Sequence, residues 1–159
     1  KNRVDYGSHI LIRSLPPLRG KIVDLGCGYG PIGIALSSLN PHIDVSMVDI
    51  NQRAVALAQD NIAKNNIANA TVYVSDGFSN VSGEFDAIVT NPPIRAGKKL
   101  IYSLFEQSMD YLNTGGALYI VIQKKQGAPS AIKKLEQIFG NCHTLARKKG
   151  YLVLKSIKY

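Results

Sequence analysis

A chain of 159 residues is near the common size of one domain, and a hydrophobic content of 45% is enough for a sizeable core. No apolar run approaches the ~18 residues that span a bilayer, no secretory leader is visible, and two cysteines, Cys27 and Cys142, exclude a disulfide framework. The expectation is a cytoplasmic protein with no membrane partner. Its net charge of +8 clusters at Arg95, Lys98 and Lys99, at Lys124 and Lys125, and at Arg147, Lys148 and Lys149, which points to a polyanionic partner.

The chain reads as a single domain over residues 1–159, with residues 1–20 as a lead-in. Within that lead-in "SHILIRSL" predicts a short helix, ended by Pro16 and Pro17. "KIVDLG", Lys21–Gly26, is a strand ending at glycine, and "PIGIALSSL" a helix with Pro31 at its start. Asp44–Ile50 is the second strand. Residues 51–66 form a helix capped by Asn51, with Val55, Ala58 and Ile62 on one face. Ala70–Asp76 and Phe85–Thr90 are further strands. Leu100–Leu112 is a helix that "NTGG" closes. "ALYIVIQ" is a fifth strand, Ala128–Phe139 another helix, and residues 143–159 a hairpin turning at Lys149–Gly150. Strands alternating with helices predict an α/β fold. Its doubly wound, mostly parallel seven-stranded sheet carries a C-terminal antiparallel hairpin and helices on both faces.

"VDLGCGYGPIG" places Gly26, Gly28 and Gly30 where a strand turns into a helix. Glycines there allow positive φ and close approach of a ligand, and the helix start offers free N–H groups. Gly28, Gly30 and Gly33 also satisfy the dinucleotide spacing, with Asp49 about 20 residues on, so a nicotinamide oxidoreductase is one reading. Against it stands Asp24, where a diphosphate would be repelled. Asp24, Asp49 and Asp76 close three successive strands. That acidic rim suits a ligand with a cationic end, a diol and an amino-bearing ring.

"DLGCGYG", then Asp49, then Asp76-Gly77, then "NPPI", together with the opening "VDYGSHILI", resembles the class I S-adenosylmethionine-dependent methyltransferases. More narrowly the chain is similar to the methyltransferase small domain group, which includes bacterial small-subunit ribosomal RNA guanine-N2 methyltransferases. The resemblance implies a Rossmann-like fold, S-adenosylmethionine as cofactor, no metal, and RNA, as ribosomal RNA or a small-subunit particle, as partner. It implies that Gly26, Cys27, Gly28 and Gly30 hold the methionine part, with Asp24 approaching its ammonium group. Asp49, followed by Ile50, would accept from both ribose hydroxyls. Asp76 would accept from the adenine amino group, with Gly77 and Phe78 beside the ring. Asp5, Gly7 and Ser8 would line the methionine end.

"TNPPIRAGKK" then has a chemical reading. An exocyclic amino group on a base is a poor nucleophile, because its lone pair is delocalised into the ring. The side-chain oxygen of Asn91 and a backbone carbonyl near Pro92 can take its two N–H bonds and aim the lone pair at a methyl donor. Pro92 and Pro93 fix φ, which makes the loop a preorganised site. Asn91 thus serves both catalysis and the cofactor edge. Many amino-methyltransferases carry an aromatic residue after the prolines; here it is Ile94, and Tyr29, Tyr6 and Phe78 are the candidates to replace it. Arg95, Lys98, Lys99, Lys124 and Lys125 would contact RNA phosphates around the pocket mouth. Transfer to adenine N6 or to a protein glutamine uses the same Asn-Pro-Pro and stays open, as does a non-catalytic binding module.

Overall fold

A computed structural model describes residues 5–159; the first four residues of the lead-in, including Val4 of "VDYGS", lie outside the described residues. Helix α1 spans Tyr6–Ser14, two residues earlier than the sequence suggests, because Asp5 caps it through a bond from Ser8 N–H at 3.1 Å. Then follow β1 (Lys21–Leu25), α2 (Pro31–Leu39), β2 (Asp44–Asp49), α3 (Gln52–Lys64), β3 (Ala70–Val74) and β4 (Phe85–Thr90). A 3-10 turn at Ile94–Ala96 leads into α4 (Lys98–Tyr111), and β5 runs from Leu112 to Gln123. A second 3-10 turn at Lys124–Gln126 precedes α5 (Ala128–Phe139), and β6 (His143–Lys148) and β7 (Tyr151–Ile157) complete the sheet.

The seven strands lie in the order β3-β2-β1-β4-β5-β7-β6. The first five are mutually parallel, and β7 enters antiparallel between β5 and β6. Alternate residues of each strand feed two cores. Ile22, Val45, Met47, Val89 and Tyr119 pack with Leu11, Leu36 and Val55 on the face of α1, α2 and α3. Val23, Val48, Ile88, Leu118 and Ile120 pack with Phe105 and Leu135 on the face of α4 and α5. Both faces are therefore covered, as a parallel sheet requires.

Two expectations about α4 and its exit change. Gly97, at φ 92°, starts the helix at Lys98 rather than Leu100. "NTGG" does not close it: the strand begins at Leu112, and Gly115 and Gly116 lie within β5. A Cβ on Gly116 would sit 3.0 Å from the Asp86 carbonyl oxygen and 3.1 Å from that of Phe85, where the β4–β5 register shifts. Gly116 lets the two strands pass closely, while Gly115 stands in open space at φ 89°; neither is a helix stop. The hairpin turn falls at Lys149–Gly150 as the sequence suggests, with φ of 50° and 82°. Two successive positive φ values make a type I′ turn, in which a lysine costs roughly 1 kcal/mol.

β4 and β5 are neighbours, so the loops at their carboxyl ends meet beside those of β1, β2 and β3. The topology thereby gathers residues 26–30, 49–50, 75–77, 91–99 and 124–127 at one rim.

Candidate functional site

Gly26, Gly28 and Gly30 adopt φ of 70°, 57° and 102°. The loop is fastened by Cys27 N–H to the Val48 carbonyl at 2.8 Å and by Gly30 N–H to the Cys27 carbonyl at 3.0 Å. An added Cβ at Gly26 or Gly28 would meet no protein atom within 4 Å. At Gly30 it would fall 2.7 Å from Met47 Cε, and at Gly33 2.6 Å from Met47 Sδ. The first two glycines therefore leave open space over the loop, while Gly30 and Gly33 allow α2 to pack onto β2.

Beside this loop lies a cavity of about 270 Å³, whose lining includes Gly26, Asp49, Ile50, Asp76, Gly77, Asn91 and Pro93. The Asp49 carboxylate is fixed at both oxygens, by Gly28 N–H at 2.9 Å and Asn51 N–H at 2.9 Å. Each carboxylate oxygen keeps further acceptor capacity for a ligand. Asp76 is exposed at the cavity edge. Ile50 and Leu100, 64% and 44% exposed, are large apolar side chains that both border the cavity and would be covered by a flat ring between them. An open glycine cradle, two carboxylates and an apolar slot fit a ligand that combines a diol and an amino-bearing ring.

Asp24 departs from the expected rim. It is 1% exposed and lies beneath the glycine loop, where Oδ2 accepts from Gly33 N–H at 2.9 Å and Oδ1 has no protein partner. Burial pushes its carboxyl up to about 7, with Asp49 adding to the rise and the Gly33 bond opposing it. Only two of the three strand-end acids thus face the cavity. Cys27 is also buried, and burial raises its thiol far above the ordinary range, so it is an inert part of the loop. Phe78, expected beside a bound ring, is instead 1% exposed and stacked on Tyr111 at 4.5 Å in the core.

At the other end of the cavity the Asn91 amide nitrogen donates to Asp5 Oδ1 and to Ser8 Oγ, both at 3.2 Å. A carboxylate can only accept, so the NH₂ must face Asp5. The Asn91 side-chain oxygen is then the acceptor left over. Asp5 is held in turn by Ser8, whose Oγ donates to Oδ2 at 3.0 Å. Asp5 and Ser8 thus position Asn91, a role that the spacing of 86 residues hides in the sequence.

Pro92 is buried against Leu25, Thr90 and Phe105, and Pro93 borders the cavity. Ile94 faces away, into a small cleft with Tyr102, Ile122 and Lys98. Arg95, Lys98, Lys99, Lys124 and Lys125 are all exposed at the carboxyl rim. Lys98 Nζ approaches Ser130 Oγ at 3.4 Å, which brings the start of α4 beside that of α5. The first turn of α4 has two lysines and no acid, so helix dipole and side chains add to one positive potential. Among the described residues the one ion pair joins Lys134 to Glu106 and involves none of these cations.

Seven lining residues have no site role in the sequence reading: Leu25, Val48, Ser75, Thr90, Ala96, Leu100 and Leu104. Ser75 accepts from Asn80 N–H at 3.0 Å and donates to the Gly77 carbonyl at 2.6 Å, which shapes the loop after β3. Leu100 and Leu104 recur at helix spacing, a signal that looks like ordinary core packing.

The sequence matches the methyltransferase small domain family over residues 1–155. It is 50% identical to the Bacillus subtilis protein YbxB, over 99% of this chain and 81% of that protein. It is 36% identical to ribosomal RNA small subunit methyltransferase C of Vibrio cholerae, over 97% of this chain and 45% of that one. The chain thus spans about half the length of the methyltransferase C relatives it matches. A T. thermophilus 16S rRNA guanine-N2 methyltransferase (RsmC), solved with AdoMet and guanosine, superimposes with a TM-score of 0.87 at 27% identity. That likeness covers 99% of this chain and 44% of that one. No helix among the described residues is long and apolar enough to cross a membrane.

Proposed function

The chain belongs to the methyltransferase small domain family, and we propose that it transfers a methyl group from S-adenosylmethionine to the exocyclic N2 of a guanine in small-subunit ribosomal RNA. The observation that carries this reading is the Asn91 amide, whose two N–H bonds are spent on Asp5 and Ser8 at the cavity edge. The solved relative with AdoMet and guanosine supports the choice of base, and the methyltransferase C relatives support the choice of RNA.

The residues fit the cofactor: Gly26 and Gly28 leave room for its methionine part, Asp49 takes the ribose hydroxyls, Asp76 takes the adenine amino group, and Ile50 and Leu100 cover the ring. When bound there it supplies an electrophilic methyl group that already carries its leaving group. Asn91 accepts one N–H of the target amine through its side-chain oxygen, and a carbonyl at Pro92 accepts the other. This withdraws the amine lone pair from conjugation and orients it. Pro92 and Pro93 hold those acceptors still, so no reorganisation is needed as charge develops. No strong general base is required, since the proton leaves after transfer. Arg95, Lys98, Lys99, Lys124 and Lys125 supply phosphate contacts that position the RNA without reading its sequence.

The test is incubation with methyl-labelled S-adenosylmethionine and small-subunit RNA, naked and as particles, followed by nucleoside digestion and mass spectrometry. Labelled N2-methylguanosine is expected. Label in N6-methyladenosine or in ribosomal protein would overturn the guanine assignment.

A further inference from the structure

The β6–β7 hairpin carries a feature outside the cofactor cavity. Lys124, Arg147, Lys148, Lys149 and Tyr151 surround a cleft of about 320 Å³, and among the described residues no carboxylate lines it. The cleft is built firmly. Lys124 N–H donates to the Gly150 carbonyl at 2.7 Å, tying the end of β5 to the hairpin tip. The Tyr151 hydroxyl accepts from Gln123 Nε2 at 2.9 Å, which fixes one wall. Lys149 occupies a positive-φ turn position that asparagine would fill more easily, and its ammonium lies 5.3 Å over the Tyr6 ring. Four cationic residues line this one cleft, and S-adenosylmethionine brings no phosphate to offset them. Of the two substrates, RNA is the polyanion that can displace their counterions.

The cleft is also next to the reacting end of the cavity. Tyr151 Cε1 and Asn91 Nδ2 lie 3.0 and 3.4 Å from one point, where a Cβ on Gly7 would stand. Tyr6 and Tyr151 pack edge to face at 5.5 Å between the cations and that point. We infer that the hairpin cleft is a second RNA site, which takes backbone phosphates flanking the target nucleotide and sets the strand's path past Tyr6 and Tyr151 toward Asn91. It rests on the proposed RNA activity, and it goes beyond it by assigning Arg147, Lys148 and Lys149. A single-stranded segment fits this role, since its base is free to enter the pocket at Asn91 while the neighbouring phosphates lie in the cleft.

The experiment is fluorescence anisotropy with a labelled single-stranded oligoribonucleotide over a salt series. It compares the wild type with the triple variant Arg147→Ser, Lys148→Ser, Lys149→Asn; asparagine keeps the positive-φ turn. With a slope of about −0.7 per phosphate contact, the triple variant should lose about 2 from the log–log slope. Calorimetry with S-adenosylhomocysteine should give the wild-type affinity. Lys148→Glu, one exposed change that leaves the turn intact, should shift RNA binding in the same direction. A wild-type slope in both variants would overturn the second site while the proposed reaction stands. A wild type that shows no salt-dependent RNA binding would overturn the RNA reading itself, and this inference with it.

Discussion

The Asn91 amide nitrogen donates to the Asp5 carboxylate at 3.2 Å, across 86 residues of chain. The same carboxylate caps α1, so the helix start and the Asn-Pro-Pro loop share one fastening. Asp5→Asn should preserve the cap, since asparagine caps as well as aspartate, but it removes the charge that fixes the Asn91 amide. We expect kcat to fall about tenfold, a loss of ~1.4 kcal/mol in line with one charge-assisted bond, with little change in melting temperature. Asn91→Ala should lower kcat by about 10²–10³ and largely spare cofactor affinity. Steady-state kinetics beside calorimetry would check both; normal turnover in Asn91→Ala would make the loop merely structural.

The two kinds of glycine in the loop should separate in mutants. A Cβ at Gly28 meets no protein atom within 4 Å, so Gly28→Ala should cost only the ~1–2 kcal/mol of its left-handed backbone while filling the cofactor's space. Gly30→Ala drives a methyl group onto Met47 and should lower the melting temperature further. Thermal melts and S-adenosylhomocysteine titration of both variants distinguish them. Equal stability with intact binding in both would remove the distinction.

Much of this was readable from the chain, and the exceptions have physical causes. Gly26 could be placed at the cavity because it follows a strand end directly, and Asp49 because it ends the next strand about 20 residues on. Asp24 could not: spacing puts it at a strand end, but only packing reveals that the glycine loop closes over it. Phe78 was misplaced because an aromatic after a loop glycine looks the same whether it faces a ligand or Tyr111. "NTGG" carries the signal of a helix stop, and only the approach of β4 shows that Gly116 serves the close pairing of two parallel strands. Asp5 and Ser8 gained their roles from a contact that no local pattern records.

Asp49 has two duties, and its removal should show both. Asp49→Ala deletes the acceptor proposed for the ribose hydroxyls, a loss of about 2–3 kcal/mol in cofactor binding at ~1.5 per charge-assisted bond. It also frees Gly28 N–H and Asn51 N–H, so the melting temperature without ligand should fall. Calorimetry with S-adenosylhomocysteine gives the first and differential scanning the second. Unchanged affinity would take Asp49 out of the cofactor site.

The buried carboxyl of Asp24 gives the protein a distinct pH dependence. Its folded-state pKa, about 7, lies above the unfolded value of 3.8, and burial is the main cause. Below the unfolded value both states hold the proton, and the group has no effect. Between roughly pH 4 and 7 the unfolded chain releases the proton and the folded chain keeps it. Stability from this group then declines as pH rises, by at most about 1.4 kcal/mol per pH unit, and levels off above the folded pKa. Asp24→Asn cannot titrate, so the wild-type minus variant difference in unfolding free energy should slope downward across that window. Denaturant melts at several pH values measure it, and a flat difference would deny the raised pKa. Ligand binding supplies a second reading of the same group. If Asp24 answers the ammonium of the cofactor, a cation favours its ionised form, and affinity for S-adenosylhomocysteine should rise from about pH 6 to about pH 8. The rise should vanish in Asp24→Asn. An affinity in the wild type that ignores pH over this range would leave Asp24 as the fastening of Gly33 and the start of α2, with no part in holding the cofactor.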